Sequence, residues 1–208
     1  RLSNDPDDIW RAFASKHRTN IRRVYKSGLR VRSGQQDCLD VFYELLSRSW
    51  RGLGTPIYRK RYFQSLLDTF GDKVRIFVAY QGDTPVATAF NGHFGKTVEG
   101  MWAGSSVKHR KLQSNYVMYW EMIKAACEDG YECFHLGRTS VDSGGEAFKK
   151  KWLANSEQLY WQYYLPAGGE LPQLNVNNPK NSLALNAWQK MPLGLTRLIG
   201  PPIARHIP

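Results

Sequence analysis

The segment from Phe134 to Leu165 carries the side chains best suited to chemistry in this sequence. An aromatic run ends in a Gly-Arg-Thr-Ser sequence at residues 137–140, a polar loop with glycines follows, and Phe148 and Lys149 come next. We therefore expect a guanidinium, two hydroxyls and an ammonium near one strand end. Such a group suits an anionic ligand, or a transition state in which negative charge develops.

The polar residues at this strand end also have structural interpretations. Arg138 follows a glycine, where the backbone can approach a ligand closely, but it can equally pair with Asp142 or Glu146. Thr139 and Ser140 can hydrogen-bond a substrate, although hydroxyls in such positions more often cap a turn. Both interpretations stay open for Arg138, and capping is favoured for the two hydroxyls.

The chain is strongly basic, with a net charge of +11 over 208 residues and a pI of about 9.7. This charge favours polyanionic partners such as nucleic acid, nucleotide phosphates or an acidic membrane surface. Residues 1–32 hold nine Lys or Arg against three Asp and no Glu. They form either a polyanion-binding helix or, as is commoner, a solvated basic face. The candidate contacts are Lys16, Arg18, Arg22, Arg23 and Lys26.

Cysteine usage and hydropathy exclude several classes of protein. The three cysteines have neither metal-ligand spacing nor the pattern of a disulfide framework, which indicates a reducing compartment. No apolar stretch reaches the roughly 20 residues that span a bilayer. The histidines lack ligand spacing, so no metal site is predicted. The chain begins at an arginine rather than Met, and we expect an upstream portion to be missing.

Hydrophobic periodicity predicts a mixture of helices and strands. A first helix is expected from Asn4 to Ser27, with one face buried. That face holds Trp10, Phe13, His17, Ile21 and Val24. Further helices are predicted at 36–51, 61–70 and 114–129, and strands at 29–32, 74–80, 86–94, 97–103, 131–136 and 159–165. A Pro/Gly/Asn linker at 166–182 precedes short helices at 183–208. In the last strand, alternate aromatic side chains are expected to be buried.

This order of antiparallel strands, helix and strand resembles the GNAT acyltransferase fold. The motifs that narrow the resemblance are Gly104-Ser105-Ser106, an aromatic helix opened by Asn115, Phe134-His135-Leu136-Gly137-Arg138-Thr139, Phe148-Lys149-Lys150-Lys151-Trp152 and Leu159-Tyr160. Their order resembles the FemAB-like branch of the GNAT superfamily. That branch includes the Fem peptidoglycan-bridge aminoacyltransferases and FemAB-related proteins of exosortase (PEP-CTERM) systems. The basic opening helix is similar to a stretch found mid-chain in these proteins. The tail at 188–193, with Gly200-Pro201, is similar to the ending of the exosortase-associated members.

The resemblance implies an α+β, GNAT-like fold with a mixed, mostly antiparallel central sheet flanked by helices. Residues 1–165 would form the GNAT-like domain with its basic opening helix, and residues 166–208 a linker with short helices. Family members usually carry two GNAT-like halves. This chain resembles the second half, so a missing N-terminal half is expected to pack on it.

The resemblance also implies transfer of an acyl group from acyl-CoA or aminoacyl-tRNA to an amine. The acceptor would be a small-molecule or lipid-linked precursor of the cell envelope or of an exopolysaccharide. The resemblance implies a cytoplasmic location. An alternative that it allows is a location at the inner face of the plasma membrane, with peripheral membrane contact. The family's lysine that stabilises the oxyanion corresponds to Lys149, although composition alone favours a solvated face at 149–151.

Phe148, Asn115 and Tyr119 are further candidates for substrate contact. Asn115 opens the helix at whose start most GNAT folds hold the cofactor pyrophosphate, and it can cap that helix as well. Tyr119 is more typical of a core residue. Asp142, Glu146 and Glu99 are possible general bases, and nothing in the sequence selects one of them.

Several positions depart from the family pattern. The usual Asp before the strand-end Gly-Arg is replaced by His135-Leu136, and the usual Gly after Trp152 is Leu153. The phosphate loop is replaced by a glycine-free basic stretch at 107–111, which could hold a phosphate through side chains. These are Lys108, Arg110 and Lys111. The departures support an alternative function, a non-catalytic GNAT-fold module that binds a polyanion or acts as a scaffold.

Overall fold

The computed structural model describes residues 1–165 and 179–206, which form one sheet with helices on both faces. The helices are α1 Pro6–Ala12, α2 Ser15–Lys26, α3 Leu39–Leu53, α4 Lys60–Phe70, α5 Asn115–Glu128, α6 Gly144–Lys150, α7 Pro179–Lys190 and α8 Leu193–Ala204. The strands are β1 Leu29–Gly34, β2 Val74–Gln81, β3 Thr84–Phe94, β4 Thr97–Ser105 and β5 Cys133–His135. Among these helices, none combines the length and apolar character that a membrane crossing requires.

The sheet has the order β1-β2-β3-β4-β5, and its neighbours are antiparallel except for the last pair. The short strand β5 runs parallel to β4 and pairs with it only from Thr97 to Glu99. Strand β4 continues to Ser105, so the two strands part beyond the pair Glu99 and His135. The predicted mixed, mostly antiparallel sheet is confirmed.

Two hydrophobic cores form because successive strand residues point to opposite faces. Ile76 and Val78 of β2 pack with α3 and α4 on one face, whereas Phe77 and Ala79 pack beneath α5 on the other. A third group of rings, called here the aromatic cluster, extends the α5 side. It consists of Phe13, Trp120 and Trp152, which are buried, with Tyr119 and Phe148 packed against them.

The predicted first helix is two helices, because the chain breaks at Phe13. The backbone of Phe13 is extended (φ −65°, ψ 144°), which ends α1 and lets its ring enter the aromatic cluster. The guanidinium of Arg18 donates to the carbonyls of Arg11 and Phe13, which satisfies the end of α1. The predicted buried face is confirmed at Phe13, His17, Ile21 and Val24, and Trp10 is partly buried.

The predicted strand at 159–165 is wrong. These residues have no regular structure, and Tyr160 and Tyr164 are 87% and 95% exposed. Alternating aromatics favour a strand only where a partner strand and a covering layer exist, and no strand in the described part of the chain pairs with them. The expected burial of alternate rings in this segment is therefore also wrong.

Helices α7 and α8 pack against α3. Arg197 of α8 donates to Glu44 and to the hydroxyl of Ser47, and its guanidinium lies 5.1 Å from the ring centre of Tyr43. The linker was predicted to extend to 182, but α7 begins at Pro179. The rest of the predicted linker lies outside the described residues.

Candidate active site at the parting of β4 and β5

Lys149 belongs to the short helix α6, and its side chain reaches the chain just after the end of β5. That helix begins at Gly144 and is capped by Ser143, whose hydroxyl accepts a hydrogen bond from the amide of Glu146 at 3.1 Å. The half-buried Lys149 amine donates to the carbonyl oxygens of Gly137 and Arg138 at 2.8 and 2.7 Å. An ammonium has three donors, and among the described residues it uses two of them in these bonds, so one N–H is left for a substrate.

Gly137 allows this arrangement through its backbone conformation. Its φ is +72°, and a side chain there would meet the carbonyl oxygen of Gly100 at 3.3 Å. Glycine adopts this conformation at little cost, which turns the carbonyl of residue 137 toward Lys149. The lysine amine is therefore fixed where β4 and β5 part.

Burial lowers the pKa of the Lys149 ammonium, and the nearby Glu99 carboxylate acts in the opposite direction. Hydrogen bonds to two carbonyl oxygens also favour the charged form. A fixed ammonium at this position can stabilise an oxyanion that forms between the two strands.

The aromatic cluster holds α6 in place. Phe148 packs edge-on against the rings of Tyr116 and Tyr119, with centroids 5.8 and 5.1 Å apart. Trp152 stacks on Tyr119 at 5.6 Å. Burial raises the pKa of Tyr119, in keeping with the core interpretation of that residue. Phe148 and Tyr119, both predicted to contact substrate, lie in packing contacts that position Lys149.

Arg138 does not pair with either predicted carboxylate. Its guanidinium lies 5.1 Å from the ring centre of Trp161, whereas Glu146 binds Lys150 at 2.7 Å and accepts from the amide of Asp142. Of the two interpretations left open for Arg138, the carboxylate pairing does not occur with Asp142 or Glu146, because α6 aligns Glu146 with Lys150 one turn away. The exposed Arg138 stays available to an anionic ligand.

The residues expected to act as caps do not hold the cap positions of α5 and α6. These residues are Thr139, Ser140 and Asn115. Thr139 lies 3.1 Å from the Ser143 hydroxyl, and that hydroxyl donates to the carbonyl of Ser140 at 2.7 Å. The cap of α6 is therefore Ser143. Asn115 is the exposed first residue of α5. Ser114 occupies the cap position there with no side-chain hydrogen bond, so capping by Asn115 is wrong.

A histidine and a glutamate face each other directly across β4 and β5. His135 lies opposite Glu99 in the register, and its Nδ1 is 2.5 Å from Oε2 of the glutamate. The sequence offered Glu99 as one of several possible bases and His135 only as a departure from the family pattern. The departure from the family pattern at His135 was the only signal that this residue has a special role. The strand register that places it beside Glu99 cannot be derived from the sequence.

The larger of two described cavities was missed entirely at the sequence level. Its volume is about 450 Å³, and it lies between the start of α4 and the end of α8. We call it the arginine cavity, and its lining consists of Tyr58, Arg59, Arg61, Tyr62, Ser65, Pro201, Pro202 and Arg205. The basic and aromatic run at 58–62 was the signal for it. Neither this cavity nor the smaller one beside Trp152 is lined by Lys149.

The predicted polyanion-binding residues fall into two groups. Lys108, Arg110 and Lys111 are exposed on a short 3-10 turn, Val107–Leu112, just before α5. On α2, Lys16 and Lys26 are exposed.

Three arginines of α2 have structural partners. Arg22 lies over the ring of Trp10 at 5.2 Å, Arg23 donates to Gln113, and Arg18 caps α1. A polyanion-binding role for the basic residues of α2 stays a prediction. Within 1–165 and 179–206, no three His, Cys, Asp or Glu side chains are grouped as metal ligands.

Comparison with known proteins gives a consistent set of relatives. Residues 13–150 match the family described as Acetyltransferase (GNAT) domain. UDP-N-acetylmuramoylpentapeptide-lysine N(6)-alanyltransferase of Weissella viridescens is 26% identical over 153 residues, which cover 71% of this chain and 45% of that protein. Aminoacyltransferase FemB of Staphylococcus epidermidis is 20% identical over a gapped alignment of 230 positions, which covers 77% of this chain and 55% of that protein.

The solved structures agree on the fold. The crystal structure of FemX superposes with a TM-score of 0.62 at 17% identity, over 71% of this chain and 56% of that one. The chain spans about half the length of the relatives it matches.

Proposed function

We propose that this chain, which belongs to the acetyltransferase (GNAT) domain family and resembles its FemAB-like branch, transfers an aminoacyl group to an amine of a cell-envelope precursor. The observation that carries this proposal is the position of Lys149, whose amine is held by two carbonyls where β4 and β5 part. A fixed cation beside an opening between strands suits a reaction that passes through an oxyanion.

The reaction would follow the order of acyl transfer. The acceptor amine attacks the ester carbonyl of the donor, and the carbonyl oxygen becomes an oxyanion. The remaining N–H of Lys149 donates to that oxygen, which is worth about 3 kcal/mol for one such donor. The tetrahedral intermediate then collapses, the C–O ester bond breaks, and the amide product and the donor hydroxyl leave.

The arginine cavity is the proposed site for the anionic part of the acceptor. Its lining holds three arginines and no carboxylate. Planar guanidinium groups match phosphate oxygens in a bidentate manner, and the tyrosines can pack against a sugar or a base. The relative from Weissella viridescens acts, by its name, on a UDP-linked muramoyl pentapeptide, whose diphosphate has the chemistry that this cavity selects.

Aminoacyl-tRNA is the preferred donor in this proposal. The turn before α5 is basic and lacks glycine, so phosphate binding there would use side chains rather than a cradle of backbone amides. Four further points remain predictions. They are acyl-CoA as donor, an exopolysaccharide precursor as acceptor, a location at the inner membrane face, and an N-terminal half packed on this chain.

The test is transfer of labelled alanine from alanyl-tRNA to UDP-N-acetylmuramoyl pentapeptide carrying lysine, with acetyl-CoA as a second donor. The proposal expects labelled product from the tRNA ester and little from the thioester. Product from acetyl-CoA alone would reverse the choice of donor.

A second candidate is a non-catalytic module that binds polyanions. The observation that favours it is that neither described cavity is lined by Lys149. Binding of tRNA or of the UDP-linked precursor, without transfer from either donor, would establish this candidate and remove the transferase.

A further inference from the structure

His135 and Glu99 form a hydrogen-bonded pair beside the proposed reaction centre. The imidazole Nδ1 lies 2.5 Å from the carboxylate Oε2, and both side chains are about half exposed, at 55% and 44%. A neutral imidazole that donates from Nδ1 to a carboxylate carries its free lone pair on Nε2. The glutamate therefore selects the tautomer in which Nε2 is a base.

The pair faces the side of the sheet that holds the arginine cavity. Phe134 packs beneath α5, so its neighbour His135 points to the opposite face, where α3 and α4 lie. On that face, the ring of Trp102 in β4 contacts Tyr62 of the cavity, with centroids 5.9 Å apart. An acceptor bound in the cavity would extend along β4 toward His135.

The pair also lies close to Lys149. The lysine amine bonds to the carbonyl of Gly137. Gly137 follows His135 by two residues, so their Cα atoms are at most about 7 Å apart. Glu99 of β4 faces the imidazole directly, and the same carboxylate lies near the Lys149 ammonium of α6. Cys133 lies on the same side of β5 as His135.

We propose that His135 is the general base of the transfer and that Glu99 is its positioning residue. This inference rests on the proposed function. As the acceptor nitrogen bonds to the ester carbonyl carbon, its proton passes to Nε2 of His135. When the C–O bond breaks, the same proton passes to the leaving hydroxyl oxygen, so the imidazole ends neutral. Lys149 keeps its protons throughout.

The experiment measures kcat/KM against pH for alanine transfer from alanyl-tRNA to the UDP-linked pentapeptide. Because a neutral imidazole is the base, kcat/KM of the wild type should have an acidic limb, falling as pH is lowered. His135→Ala should lower kcat/KM by roughly 10²-fold, the lower range for general base catalysis, and should remove that acidic limb. Added imidazole should restore part of the rate. Glu99→Gln removes the carboxylate that fixes the tautomer, so it should also lower kcat/KM and shift the limb.

Glu132→Gln is the matched control, because Glu132 pairs with Lys96 on the surface just before β5. It should leave the pH profile unchanged, and thermal melting should show all variants folded. If the wild type transfers alanine and His135→Ala keeps the same acidic limb without imidazole rescue, the general base is wrong while the transferase stands. If the wild type transfers from neither alanyl-tRNA nor acetyl-CoA, both proposals fall.

Discussion

The two faces of the sheet converge on the same strand edge but are built differently. On the α5 side, the aromatic cluster is closed, with Trp152 only 5% exposed, and it fixes the helix that carries Lys149. On the α4 side, the arginine cavity is open and holds guanidinium groups with room around them. The closed face can hold a catalytic group in place, whereas the open face can admit a ligand. Substitutions on the two faces should therefore have separable effects.

The largest effect is expected for Trp152→Ala on the closed face. Truncation of a buried tryptophan leaves a cavity and costs about 3–5 kcal/mol in the free energy of unfolding. Urea denaturation checks this value. Trp161→Ala is the control, because that ring is 60% exposed and its loss should cost under about 0.5 kcal/mol. Equal losses for the two variants would contradict the contrast between the faces.

On the open face, the double variant Arg59→Ala, Arg61→Ala should weaken binding without unfolding the protein. We expect KM for the UDP-linked acceptor to rise at least about 10²-fold, since two charge-assisted hydrogen bonds are lost and each contributes roughly 1.5–3 kcal/mol. Steady-state kinetics should show little change in kcat. Lys60→Ala is the matched control, because Lys60 pairs with Asp40 rather than lining the cavity. A change in kcat with constant KM would assign these arginines to another role.

Arg197→Ala tests whether the open face depends on the docking of α8. Arg197 bonds to Glu44 and to the buried Ser47, and α8 supplies one wall of the cavity. We expect a loss of roughly 1–2 kcal/mol in unfolding free energy and a smaller rise in acceptor KM than for the double variant. If the protein is destabilised but KM is unchanged, acceptor binding in the cavity does not depend on the docking of α8.

The smallest effect concerns His17, which lies edge-on to Trp152 with centroids 4.4 Å apart. Burial, and then the charge of Lys151, hold its pKa below the usual 6.5. As pH falls below 6.5, His17 is protonated in the unfolded chain before it is protonated in the folded chain. The free energy of unfolding therefore falls as pH falls. Neither ring nitrogen has a hydrogen-bond partner among the described residues.

His17→Leu should therefore lessen the loss of stability between about pH 7 and pH 5. Urea denaturation at the two pH values measures the difference. A variant with the same loss as the wild type would show that other groups cause it.

The sequence predicts most of the fold because the patterns involved are local. The spacing of Ile21 and Val24 marks a buried helix face, and the Phe-Lys motif, read through the family resemblance, points to Lys149. The errors arise where a long-range contact decides the outcome. The break at Phe13 depends on packing against α5 and Trp152. Residues 159–165 do not form a strand because no strand in the described part of the chain pairs with them.

The same reason explains what the sequence could not reveal about the site. The arginine cavity joins Arg59 to Arg205, which are far apart in the chain. The pairing of His135 with Glu99 follows from the register of a parallel pair that is only three residues long. No periodicity within either segment carries that information.

The most direct test of the central claim is kcat for Lys149→Ala beside Lys150→Ala at saturating donor and acceptor. Lys150 is the adjacent lysine and pairs with Glu146 on the exposed side of α6. We predict that Lys149→Ala loses about 10²- to 10³-fold in kcat, the cost of one oxyanion donor, and that Lys150→Ala turns over like the wild type. Equal turnover by the two variants would contradict the assignment of Lys149.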